Sequence, residues 1–213
     1  MSLHTQILPA GQRLLFDRLA RDNPFADFYL AGGTALALQF GHRLSVDFAF
    51  FVAGAFEPKE IALKLRALGR FELWAEAGNT LHGTLDDVRV SFLGYRYPLL
   101  EPLVHAGALR LASPRDIAGM ELSAMASRGA KKDFIDLFFL LKRFALPRTL
   151  QDYHAKDVIE GLGDYQLLKS LTYFAEAEAD PDPQMLVPVS WDEVKAALTA
   201  AARTAAAGLG LAL

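Results

Sequence analysis

Two stretches of this sequence carry residues whose types and spacing suit phosphate chemistry. The first, "AGGTALALQFGHRLSVDFAFF" from Ala31 to Phe51, sets a glycine pair before a helix-like run and a lone aspartate, Asp47, in an apolar one. Glycines between a strand and a helix let backbone N–H groups approach a phosphate at the positive end of the helix. They also occur wherever a tight turn needs a positive φ. A charge placed between Val46 and Phe48 is costly to bury unless something pairs with it. Asp47 therefore either holds a metal-bound phosphate or pairs with a nearby cation, Arg43 or His42. His42 and Arg43 have the matching pair of readings, as phosphate ligands or as partners of Asp47. On a strand, Ser45, Asp47 and Ala49 share one face, and Val46, Phe48 and Phe50 share the other.

The second stretch is "RGAKKDFID". Lys132 and Asp136 stand at i, i+4, and Asp133 and Asp136 at i, i+3, away from the apolar stripe of the helix they occupy. On spacing alone these charges predict a solvated helix face with ion pairs of roughly a few tenths of a kcal/mol. Other chemistries drop out. No P-loop or G-x-S-x-G pattern is present. The five histidines lack metal-ligand spacing, and the absence of cysteine removes disulfides, thiolate metal sites and Cys nucleophiles.

The elements that must position these residues follow from periodicity and punctuation. The 213 residues are 52% hydrophobic with a net charge of -3, which predicts an ordinary globular chain and argues against a wholesale nucleic-acid or membrane-surface binder. The first residues lack a basic start with an apolar core, and no apolar run reaches the roughly 18 residues of a membrane span. The expected location is the cytoplasm.

A short leading helix lies within Thr5–Arg21, interrupted early by Pro9. "FYLAGG" reads as a buried strand, "TALALQF" as a helix and "SVDFAFF" as a second strand. Pro58–Leu68 reads as an amphipathic helix. "RFELWAE", "TLHGTL" and "VRVSFLGY" read as strands, the last two joined at Asp86-Asp87. From "SPRD" onward the pattern is helical, with Ser113 as N-cap and Pro114 at N1. "KKDFIDLFFLLKRF" shows an apolar face of Phe134, Leu137, Phe138 and Leu141. "DYQLLKSLTYFAEAEA" reads as one helix stopped by "DPDP", and a capping box from Ser190 to Glu193 opens an Ala-rich last helix. The expected class is α/β (α+β): an α/β core over 1–112 and a helical region over 113–213 packed on it.

Taken together, "LAGGTALALQFGHRLSVDFAFF", "SPRDIAGMELSAMASRGAKKDFIDLFFLL" and "LTYFAEAEADPDPQMLVPVSWDEVK" resemble the AbiEii/AbiGii toxin family, from about Phe28 to Lys195. The resemblance implies a nucleotidyltransferase-like mixed-sheet core followed by helices. It implies a toxin of a type IV toxin–antitoxin or abortive-infection system, with an antitoxin protein as partner. The implied activity is transfer of a nucleotide from an NTP, with Mg²⁺, to RNA or protein. In that pattern Gly32, Gly33 and Thr34 hold the phosphates, with Arg43 and Ser45 also at the nucleotide. Asp47 is the metal ligand. Lys132, Asp133 and Asp136 match the family's "KDF-D" helix, Lys132 as a phosphate contact.

Three departures accompany the matches. Ala49 stands where an Asp-x-Asp strand has its second carboxylate, Ser91 where many nucleotidyltransferases carry a third, and Glu121 where related sequences have lysine. Two functions are therefore expected as alternatives: a nucleotidyltransferase with a reduced metal site, or a non-catalytic relative that binds nucleotide or a protein partner.

Overall fold

A seven-stranded mixed sheet and eight α-helices make up the computed structural model, which describes residues 3–127, 129–156 and 162–213. The chain divides into two compact units, Met1–Ser113 and Pro114–Leu213.

The first unit contains the sheet. After a 3₁₀ turn at Thr5–Ile7, helix α1 spans Ala10–Arg21, with Pro9 outside its first turn where the missing N–H costs nothing. Strand β1 (Tyr29–Ala31) leads into helix α2 (Gly32–Phe40), and strand β2 (Asp47–Val52) returns antiparallel to β1. Helix α3 (Pro58–Leu68) starts with proline in its first turn and is followed by β3 (Phe71–Ala77), β4 (Thr80–Leu85) and β5 (Val88–Gly94). The sheet order is β3-β4-β5-β2-β1, extended by β7 (Leu109–Leu111) and β6 (Val104–Ala106). The β6–β7 hairpin is absent from the sequence reading. Its strands are three residues each, too short for alternation to register, and only Gly107 at φ +62° marks the turn.

One face of the sheet is an aromatic core. Phe48, Phe50, Val90, Phe92, Leu81 and Leu85 are all buried. Phe92 meets Phe25 at 4.8 Å, Phe50 at 5.0 Å and Phe28 at 5.1 Å between ring centroids. Such tilted, edge and stacked contacts add about 1 kcal/mol each beyond the area they bury. The other face carries the partners of Asp47 and Ala49, because residues in register point the same way.

The second unit is helical: α4 (Pro114–Ser127), α5 (Lys131–Leu141), α6 (Leu146–Ala155), α7 (Asp164–Ser170) and α8 (Trp191–Gly208). The Ser190 hydroxyl accepts from the Glu193 N–H at 3.1 Å, as its capping-box pattern predicts. Helix α6 was not read from the sequence. The single helix expected over "DYQLLKSLTYFAEAEA" is instead α7, a turn and a 3₁₀ segment at Ala177–Ala179. The Ser170 and Thr172 hydroxyls donate to the carbonyls of Leu167 and Lys169, competing with the helical ladder. Phe174 is drawn against Phe134 and Trp191.

Candidate active site

The glycine pair opens α2 with no side chain capping its first turn. Gly32 takes φ +67°, a left-handed value that L side chains seldom adopt, so the chain turns from β1 into α2 here at little cost. The first N–H groups of a helix lack partners within it and carry the positive end of its dipole. This arrangement suits an anion.

Thr34, on the first turn of α2, ties that turn to β2. Its hydroxyl donates to the main-chain carbonyl of Asp47, and its Oγ1 lies 2.6 Å from Ser45 Oγ and 3.4 Å from Asp47 Oδ1. Thr34 and Ser45 are both buried. The Thr34 hydroxyl is therefore engaged with Asp47, and the Ser45 hydroxyl with Thr34. Arg43 is also buried and donates from Nη1 to the Leu44 carbonyl at 3.0 Å, and His42 is fully buried.

Asp47 is the first residue of β2, which alters the face assignment around it. Ser45 is buried and Val46 is 59% exposed, the reverse of the expected alternation. The period of two begins only where the strand begins. Within β2 the expectation holds: Phe48 and Phe50 face the core while Asp47 and Ala49 are half-buried on the other side.

Register then shows what surrounds Asp47. Ala49 pairs with Ala31 on β1 and with Ser91 on β5, and Ser91 pairs with His82 on β4. Asp47 pairs with Arg89, whose guanidinium lies 5.9 Å from the ring centre of Trp74 on β3. On this face Arg89 thus stands beside Asp47, while Ala49 and Ser91, where the resemblance implies further carboxylates, carry a methyl group and a hydroxyl, with the His82 imidazole next to Ser91. Among the described residues, no group of three His, Cys, Asp or Glu is placed to hold a metal ion. Mg²⁺ is commonly held by one or two carboxylates, with phosphates and water completing its shell. Asp47 with Ala49 and Ser91 beside it does not supply the carboxylates of a bridged metal pair.

His82 has no metal-ligand spacing and lies outside the two stretches suited to phosphate. The signal for its pairing was present. A two-residue turn at Asp86-Asp87, both with positive φ, pairs Leu85 with Val88 and so His82 with Ser91. His82 Nδ1 is 2.8 Å from Ser91 Oγ.

Lys132, Asp133 and Asp136 lie on α5 in the second unit. Lys132 is exposed, but Asp133 and Asp136 are 2% and 0% exposed, which overturns the solvated face expected for them. Helix α5 is buried around most of its girth, from Asp133 to Leu140, and its apolar stripe is only part of what it buries. The neighbouring Lys131 is committed locally. Its Nζ donates to the Asp180 carbonyl at 2.8 Å and to Asp182 Oδ1 at 3.0 Å, and its backbone N–H donates to Asp180 Oδ2. Glu121 is buried on α4.

Residues 13–98 match the family model described as "Nucleotidyl transferase AbiEii toxin, Type IV TA system". An uncharacterized protein of Aquifex aeolicus (strain VF5) is 36% identical over 173 residues, covering 79% of this chain and 83% of the relative. This chain belongs to the AbiEii nucleotidyltransferase toxin family. The AbiEii match spans α1 to β5 and so takes in the glycine turn, Asp47, Ala49 and Ser91.

Solved structures share the AbiEii chain's fold at low identity. MenT4, a nucleotidyltransferase toxin of Mycobacterium tuberculosis H37Rv, aligns with a TM-score of 0.61 at 16% identity, over 89% of this chain and 82% of that one. JHP933 of Helicobacter pylori aligns at 0.55 and 18% identity, over 97% and 92%. A putative nucleotidyltransferase from H. pylori aligns at 0.53 and 18% identity, over 93% and 92%. The mixed α/β architecture is thus nucleotidyltransferase-like. Among the described residues, no helix is long and apolar enough to cross a membrane.

Proposed function

We propose that this chain binds a magnesium-complexed nucleoside triphosphate at the first turn of α2, with Asp47 as the one protein carboxylate on the cation. The observation that carries this reading is the Thr34–Ser45–Asp47 hydrogen-bond set, which fixes a lone carboxylate beside an uncapped, glycine-led helix start. The amides of Gly32 and Gly33 donate to phosphate oxygens. Thr34 acts as a positioning residue: it holds the Asp47 main chain and restricts where the carboxylate can swing. A divalent cation bound there neutralises triphosphate charge and makes the α-phosphorus easier to attack. Nucleotide transfer to an RNA or protein acceptor, and restraint by an antitoxin, follow from the family rather than from any group in this site.

A second reading rests on its own observation. Ala49 and Ser91 stand side by side where further metal ligands would be, so a two-metal mechanism lacks its ligands. On that reading the chain keeps nucleotide binding or partner binding without transfer to an external acceptor.

The deciding experiment is calorimetric titration of ATP, CTP, GTP and UTP, each with Mg²⁺, into wild type and Asp47→Ala. Micromolar binding lost in the variant is the expected result. No binding by folded wild type overturns the proposal and directs the search to protein partners.

A further inference from the structure

The face of the sheet that carries Asp47 also carries a hydroxyl in the geometry of an activated nucleophile. Ser91 Oγ is 2.8 Å from His82 Nδ1, within the range at which a general base takes a proton directly. With its ring proton on Nε2, His82 presents Nδ1 as the acceptor and Ser91 donates to it. Neither residue is lodged in the core: both are half-buried, while Leu81, Val90 and Phe92 beside them are fully covered.

The pair's position gives it something to act on. One register row runs Ala31, Ala49, Ser91, His82 across β1, β2, β5 and β4. The row begins at the residue before the glycine turn and passes one position from Phe48 and two from Asp47. Strands are spaced about 4.8 Å apart, so Ser91 lies roughly 10 Å from the start of α2. That span is comparable to an extended triphosphate.

We propose that Ser91 is a site of self-nucleotidylation, with His82 as its general base. This inference rests on the nucleotide-binding reading above. Ser91 Oγ attacks the α-phosphorus of the bound NTP. The Oγ–Pα bond forms and the bond from Pα to the bridging oxygen breaks. Pyrophosphate leaves with that electron pair, and the Ser91 proton passes to His82 Nδ1. The product is a phosphodiester-linked nucleoside monophosphate on Ser91. It needs no external acceptor, and it places the modification on the face that a second nucleotide would have to approach. Self-modification therefore also closes the site.

The test uses the full chain, incubated with each NTP and Mg²⁺ and read by intact mass and peptide mapping. Nucleotide binding is measured in parallel on wild type. The expected result is one nucleotidyl group on Ser91 in wild type and none in Ser91→Ala, with folding of the variant checked by circular dichroism. His82→Ala should slow the addition by about 100-fold, the lower end of what a general base supplies, and added imidazole should restore part of the rate. Binding of NTP with Ser91 unmodified overturns the self-modification and leaves the binding proposal standing. An adduct on Ser91 that forms at the wild-type rate in His82→Ala overturns the role of His82. Absence of any NTP binding overturns both proposals together.

Discussion

The hydroxyl of Thr34 on α2 holds the main-chain carbonyl of Asp47 on β2, and the same oxygen sits 2.6 Å from Ser45 Oγ. One buried side chain thus connects the turn suited to phosphate with the carboxylate suited to a cation. Thr34→Val keeps the volume and β-branching but leaves two polar partners of that hydroxyl without it. Stability should fall by about 1–2 kcal/mol, and nucleotide binding should weaken about tenfold as Asp47 loses its restraint. Thermal melting and titration of the variant read the two effects separately; unchanged affinity with lowered melting would make Thr34 purely structural.

Ala49→Asp restores a carboxylate two residues from Asp47, on the same side of β2 and directly opposite Ser91. Two carboxylates on one strand face can share a cation that one holds weakly. The dissociation constant for Mn²⁺, followed by electron paramagnetic resonance, should drop at least about tenfold. No change would mean that this face does not gather a cation even when given the ligand.

Asp116 and Lys156 in the second unit form a 2.6 Å ion pair with both side chains fully excluded from solvent. Removing one partner strands the other charge away from water. Lys156→Met should therefore destabilise the chain by about 3–5 kcal/mol, and adding Asp116→Leu should recover most of the loss. Denaturant unfolding of the single and double variants decides it. A double variant no more stable than the single would show that the pair does more than neutralise itself.

Asp152 gives a pH dependence of known sign. Its side-chain hydrogen bond to Arg115 at 2.5 Å, followed by the charges of Arg115 and Arg148, holds its carboxyl below the usual carboxylate range against the opposing effect of burial. For a depressed carboxylate, the stabilisation is present above the unfolded value of about 3.9 and is lost as pH falls through the lower folded value. Asp152→Asn should cost about 2 kcal/mol at neutral pH. The gap in melting temperature between wild type and variant should hold down to about pH 4 and narrow below it. A gap that stays constant down to pH 2 would remove the ion pair as its cause.

Several features of this protein were determined by the sequence alone, because they depend on contacts within a few residues. Proline in the first turn of α3, the Ser190–Glu193 capping box and the Asp86-Asp87 hairpin set their elements without help from the rest of the chain. The hairpin also determines by counting that His82 faces Ser91. The glycine turn and the lone Asp47 were legible in the same way, whereas the meaning of Ala49 came only from the family resemblance.

Tertiary structure decided what depends on covering a residue from outside its own element. The three-residue strands β6 and β7 exist because Leu30 on β1 offers an edge to Leu111, not because their own pattern calls for strand. Val46 is exposed and Ser45 buried because β2 starts at Asp47, two residues later than the run from Ser45 suggests. Asp133 and Asp136 look like a solvated face by spacing, yet they are buried, because a helix covered on several sides has no polar side to spare. Periodicity records one face of an element. Burial depends on every neighbour that the folded chain brings to it.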